Sequence, residues 1–209
     1  MSKESNPINF TDTFLIAMPG LEDDLFASSI VYLCEHNPQG AMGIVINKPS
    51  DLSFHQLFEK VDLPLGRHDL SEEIVMLGGP IHTDRGFVLH EALSMTPVVS
   101  AQMQLEPKKD WDASYSSSIK IGHDMEMTSS KDVLEALSEG KGPNRVLISL
   151  GYATWAAGQL ETEIASNQWL TIAANKTVIF ETPINKRYHK ALSLLGISTA
   201  SLSPTAGRA

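Results

Sequence analysis

Residues 30–46 read Ile30-Val31-Tyr32-Leu33-Cys34-Glu35-His36-Asn37-Pro38-Gln39-Gly40-Ala41-Met42-Gly43-Ile44-Val45-Ile46. Two apolar runs, Ile30–Cys34 and Ala41–Ile46, flank a polar segment rich in turn-forming residues. The economical reading is an antiparallel hairpin. Working outward, Phe14–Met18 is a short apolar run stopped by Pro19-Gly20, a strand and turn. Downstream, Ile74–Leu77 enters Gly78-Gly79-Pro80, and Gly86–Leu89 resumes as a strand after Asp84-Arg85. Ile119–Ile121, Trp169–Ile172 and Val178–Phe180 read as further strands, and Val146–Leu150 is the strongest buried-strand signal.

Helices are fewer. Asp23 or Asp24 can cap a brief turn over 25–29. Ser53 precedes Phe54, Leu57, Phe58 and Val61, one stripe at helical spacing. Ser129 or Ser130 opens a helix carrying Val133, Leu134 and Leu137 and closed by Gly140. Another is predicted from about Trp155, with Ala157, Leu160 and Ile164 on one face. Thr182-Pro183 reads as a cap and first helical residue, and Tyr188, Ala191, Leu192 and Leu195 form that helix's stripe before Gly196. Residues 94–118 read as a surface loop with short extended pieces. Early strands paired as hairpins, rather than strict alternation with helices, favour α+β over a doubly wound parallel sheet.

A chain of 209 residues supports one fair-sized domain. The expected division is a flexible N-terminus over 1–12, one α+β domain over 13–196 and a tail over 197–209. With 42 % hydrophobic and 20 % charged residues, neither a disordered nor a fibrous chain is expected. The net charge of −9 disfavours direct DNA binding, which needs clustered cations. The single cysteine, Cys34, excludes an internal disulfide and a multi-cysteine zinc site. The first ten residues lack a secretory apolar core, and no run of about 18 apolar residues occurs. A cytoplasmic setting and no membrane partner are the expectations.

Several segments are too particular to be generic: Phe14–Pro19; Tyr32-Leu33-Cys34-Glu35-His36-Asn37; Gly40–Pro49; Gly78-Gly79-Pro80; Asp84–His90; and Gly151-Tyr152-Ala153 with Trp155 and Ala157–Glu161. In this order they resemble the bacterial YqgE/AlgH family, over about residues 13–196. The resemblance implies a bifurcated, mixed, largely antiparallel sheet curled into a pseudo-barrel, with helices packed outside. It implies a cytosolic protein and brings a transcriptional-regulator label, through a proposed role in alginate regulation. It brings no agreed catalytic residue, cofactor or substrate.

Read from the residues, two turns are candidate ligand sites. Glu35, His36 and Asn37 place an acid, an imidazole and an amide in one loop, where His36 can serve as base or anion contact. The alternative is turn chemistry alone. Gly78 and Gly79 let backbone N–H groups approach an anion, and Asp84 and Arg85 follow at once in the same candidate site, where Arg85 can fork onto a phosphate or carboxylate. The alternative is a simple turn pinned by an Asp84–Arg85 pair. Gln159 lies four residues from Trp155, so on a helix the two share a face. Tyr152, Trp155, Gln159, Glu161 and His90 can wall a pocket or simply plug the sheet end. Cys34 and His36, two apart on a strand, are expected on one face, which permits thiol activation.

No catalytic residue and no cofactor is assigned. The histidines show no HxxxH or HExxH pair, so no metal site is expected. Ser149-Leu150-Gly151 lacks the leading glycine of a G-x-S-x-G elbow. Asn185–Lys190 reads as the solvated basic face of an amphipathic helix. The favoured reading is a non-enzymatic binding or regulatory protein with a protein partner or a small anionic ligand. Direct DNA reading and a Cys34-based redox sensor or enzyme are the alternatives. The site proposals share one premise, that His36 and Arg85 face a common concavity.

Overall fold

The computed structural model describes residues 9–92 and 115–197. The hairpin of residues 30–46 is β2 (Ile30–Asn37) and β3 (Gly40–Val45), with β1 (Thr13–Ala17) antiparallel on its outer side. The chain continues through β4 (Pro49–Ser53), α1 (Phe54–Lys60), β5 (Ile74–Leu77), β6 (Ile81–Glu91), β7 (Ser118–Ile121), β8 (Met125–Thr128) and α2 (Asp132–Ser138). It ends with β9 (Val146–Ala156), α3 (Gln159–Ala165), β10 (Trp169–Ala173), α4 (Lys176–Phe180) and α5 (Ile184–Leu194).

The main sheet runs β10-β1-β2-β3-β9-β6-β8-β7. It forks at β9. The C-terminal half of β9 pairs with β3 through Ala153–Ala156, while Ser149 and Leu150 pair in parallel with Met76 and Leu77 of β5. β6 takes the other edge of β9, antiparallel. The result is a curled, largely antiparallel half-barrel with helices outside it, an α+β fold.

Period-two alternation assigns the two faces of β1 and β2. Phe14, Ile16, Ile30 and Tyr32 pack with Val178, Ile179, Tyr188 and Leu192 of α4 and α5. Leu15, Ala17, Val31 and Leu33 pack on the opposite side with Trp155, Trp169 and Leu160 of α3. A third cluster lies beside the fork, where Phe54 and Phe58 of α1 and Val133 and Leu137 of α2 meet Val75, Val88 and Ile148. α1 opens with a capping box: Gln56 N–H donates to Ser53 Oγ, and Ser53 N–H donates to Gln56 Oε1.

The structure corrects four local expectations. Val178-Ile179-Phe180 is helical, because Asn175 caps the segment by accepting from Thr177 N–H at 2.9 Å. A three-residue apolar run is too short to reveal its period. The strand expected to stop at Leu150 continues to Ala156, since Gly151 takes φ +72° within the strand and Gly158, at φ +74°, makes the true break. Trp155 is therefore a strand residue, and α3 begins at Gln159. α5 starts at Ile184, with Pro183 at the cap. The structure adds two strands, β4 and β8, the latter carrying the alternation Met125-Glu126-Met127-Thr128. Most of the loop expected over 94–118 lies outside the described residues.

Candidate functional site

Gly158 reverses the chain so that α3 lies back against β9. Gln159 and Glu163, at i and i+4, then share one face of α3. Glu163 Oε2 accepts a hydrogen bond from the indole N–H of Trp155 and another from that of Trp169, both at 2.8 Å. Its Oε1 accepts from Gln159 Nε2 at 2.9 Å, and Gln159 Oε1 accepts from Ala156 N–H at 3.0 Å. One carboxylate thereby fixes two indoles and an amide from three elements. The indoles cross edge to face, centroids 6.1 Å apart, and Phe26 meets Trp169 edge-on at 5.7 Å. Phe26 is placed by a turn in which Asp23 Oδ1 accepts from the N–H groups of Leu25 and Phe26.

These groups border a cleft of about 250 Å³. Phe26, Trp155 and Trp169 supply its aromatic side, and Pro80 with Ile81 closes it along the strap between β5 and β6. Asp23 and Glu163 also line it, with no lysine or arginine among the described lining residues. A shallow depression of about 220 Å³ adjoins it, bordered by Glu35, Asn37, Gln39 and Met42 and sharing Thr154 and Trp155 with the cleft. Trp155 and Trp169 are nearly buried, so what the surface offers a positively charged group is the Asp23 and Glu163 carboxylates beside the half-buried Phe26 ring.

A sequence profile described as AlgH-like matches residues 14–200. The chain belongs to the AlgH-like family. It is 55 % identical to a UPF0301 protein of Paracidovorax citrulli and 54 % identical to one of Delftia acidovorans, each alignment covering both chains in full. The solution structure of the AlgH protein from Pseudomonas aeruginosa, a UPF0301 protein, is 40 % identical over the whole of both chains, with a TM-score of 0.71. A crystal structure from Corynebacterium diphtheriae shares the fold at 18 % identity and a TM-score of 0.64, covering 93 % of this chain and 90 % of that one.

In this AlgH-like chain the two predicted turns do not meet. His36 is 7 % exposed and held internally. Its Nδ1 accepts from Phe10 N–H at 3.2 Å, and its Nε2 lies 3.1 Å from Glu161 Oε1 on α3. Arg85 and Asp84 lie in the exposed first half of β6, with no ion pair between them. Neither His36 nor Arg85 lines the cleft or the depression. His36 is in register with Ala41, which pairs with Trp155, whereas Gly86 beside Arg85 pairs with Leu150. Five residues of β9, roughly 17 Å, separate those positions along the strand. The common concavity is therefore not formed.

Gly78 and Gly79 have a packing reason instead. Gly78 N–H donates to Leu150 O, and Gly78 O accepts from Val45 N–H. A Cβ on Gly79 would lie 2.1 Å from the carbonyl carbon of Tyr152. The bare backbone lets the strap pass close over β9. What the glycines position is Pro80 and Ile81, at the rim of the cleft.

Cys34 is also corrected. The register shifts between Leu33 and Glu35, a bulge that turns Cys34 and His36 to opposite faces. Cys34 joins the Tyr32 side, its Sγ 3.8 Å from Met127 Sδ, while His36 pairs with Ala41 on the Trp155 side. At 1 % exposure, burial pushes the thiol far above its ordinary range, which opposes thiolate chemistry.

Of the remaining candidates, Gln159 is in the cleft and Glu35 and Asn37 border the depression, where Asn37 Nδ2 donates to Glu35 Oε1. Tyr152 packs against Phe87 and His82, and His90 is buried 3.0 Å from Thr128 Oγ1. Glu163, Trp169, Phe26 and Asp23 join the site only through the fold. The i, i+4 pair of Gln159 and Glu163 was a legible signal; the meeting of Trp155 with Trp169 needed the β1–β10 pairing. Among the described residues, no cluster of three or more His, Cys, Asp or Glu is placed to hold a metal, and no helix is long and apolar enough to cross a membrane.

Proposed function

We propose that this AlgH-like chain is a cytoplasmic, non-enzymatic binding protein that regulates by docking a basic segment of a partner protein at the tryptophan cleft. The observation that carries this reading is the Glu163 clamp, which holds Trp155, Trp169 and Gln159 rigidly around an open cleft whose charged lining is acidic. Pre-set aromatic walls cost a partner little ordering on binding. An arginine or lysine entering there gains attraction to Asp23 and Glu163 and contact with the half-buried Phe26 ring. The adjoining depression, with Glu35, extends the same sign of charge. The net charge of −9 steers basic partners toward the molecule. The same charges repel phosphodiesters, so any transcriptional role runs through protein contact.

The test is tryptophan emission in a Trp111→Phe background, titrated with hexa-arginine or hexaglutamate peptide. Hexa-arginine gives a saturable, salt-sensitive change, and Asp23→Asn, which keeps the turn's acceptor, weakens it about threefold. No response, or an equal response to hexaglutamate, overturns the proposal. DNA binding that falls steeply with salt would favour direct reading instead.

A further inference from the structure

Arg187 does not belong to a solvated basic face. It is 6 % exposed, on the side of α5 that also buries Tyr188, Ala191 and Leu192. Its Nε donates to Thr182 O at 3.0 Å, and its Nη1 donates to Ile46 O and lies 4.0 Å from Met76 Sδ. These partners are neutral. Among the described residues, no carboxylate oxygen lies within 4 Å of this guanidinium. Burial pulls its pKa down to about 10, with Glu73 the one acidic group opposing the change, so it stays cationic at neutral pH. Carbonyls satisfy some of its N–H groups, and Glu73 acts on the charge only through space, beyond ion-pair distance. A buried charge in that condition is costly unless an ion of opposite sign joins it.

Arg187 borders a cavity of about 100 Å³, together with Glu73, Asn144 and Arg145. That is roughly three times the liquid volume of one water, room for a small ion. Arg145 is held in place at its wall. It grips Glu91 through Nε at 2.9 Å and Nη2 at 2.6 Å, reaches Glu181 through Nη1 at 2.7 Å, and sits over the Phe180 ring. Asn144, exposed, stands where the cavity meets solvent. None of these residues lines the tryptophan cleft.

We propose that this pocket is a binding site for a small oxyanion, a phosphate or carboxylate group, seated on the Arg187 guanidinium with Asn144 and Arg145 beside it. Guanidinium matches both anions through its planar fork of donors. Glu73 on the same wall favours a singly charged group over a polyanion. The site is independent of the partner-docking proposal and can fail or hold without it.

The experiment follows the arginine Nε–Hε signals of the full chain by NMR, titrating sodium phosphate or sodium acetate against sodium chloride at constant ionic strength. Arg187→Lys assigns the signal. A saturable shift of the Arg187 signal is expected with at least one oxyanion, and the arm that responds names the class. At tenfold excess over Kd the melting temperature rises by about 3–5 °C. Asn144→Ala, at an exposed position, keeps the fold and weakens binding about threefold. Should Arg187→Lys fail to fold, the wild-type titration with Asn144→Ala still decides. No saturable shift, or one reproduced by chloride, overturns the site.

Discussion

The tryptophan cleft and the Arg187 pocket place opposite charges under opposite conditions. Glu163 keeps part of its surface in solvent and receives three hydrogen bonds from Trp155, Trp169 and Gln159. Arg187 is nearly sealed and meets only carbonyls and a thioether. The first charge is answered by the protein and organises the walls around it. The second is opposed only through space, by Glu73, which lines the same cavity. A charged side chain thus acts as a structural clamp in one region and as a buried cation held by carbonyls in the other.

The sharpest way to break the comparison is to remove the strap that closes the cleft. Gly79→Ala would force a methyl group into the Tyr152–Ala153 backbone, with contacts of 2.1–2.4 Å. A loss above about 4 kcal/mol, or failure to fold, is expected in denaturant titration. A well-folded variant of normal stability would show that the close crossing is not required.

The next effect separates the two charges directly. Glu163→Ala orphans two indole N–H groups on buried tryptophans and is expected to cost about 2–4 kcal/mol. Arg187→Met trades lost carbonyl hydrogen bonds for relief of a buried charge that makes no contact ion pair and is expected to fall within about 1 kcal/mol of wild type. Equal losses from the two, measured by urea unfolding, would erase the distinction.

The smallest effect concerns the arginine that does have counterions. The Arg145 guanidinium, helped by the Lys176 ammonium, pulls the Glu91 carboxyl down to about 2 from an ordinary 4.5. A carboxylate with a depressed folded-state pKa contributes stability above its unfolded pKa and loses it as pH falls toward the folded value. Stability should therefore decline between about pH 4.5 and pH 2, by roughly 1–2 kcal/mol once solvent screening is allowed for. Glu91→Gln should flatten that part of the profile. An unchanged profile would show that the pair adds nothing.

Much of the fold was legible along the chain because its signals are local. The Asn37–Gly40 turn, the helix start at Ser53 and the apolar run of β9 all declare themselves within a few residues. Misread elements were those whose period was too short to show, as at Val178–Phe180, or whose glycine bent a strand rather than ending it, as at Gly151. The candidate site was legible only in part. Gln159 could be picked out, but His36 and Arg85 could not be placed. A single bulge after Leu33 reverses the face of everything beyond it, and spacing alone does not reveal a bulge.

By itself the sequence determined the family, the α+β class, the hairpin and the main helix stripes, since these follow from residue order and side-chain period. Only the tertiary structure decided which charges are compensated. Glu163 meets its indoles because β10 pairs with β1, and Arg187 loses solvent because α5 packs against the sheet. Both outcomes depend on long-range packing, where burial raises the cost of a charge and the folded neighbours determine whether it is met.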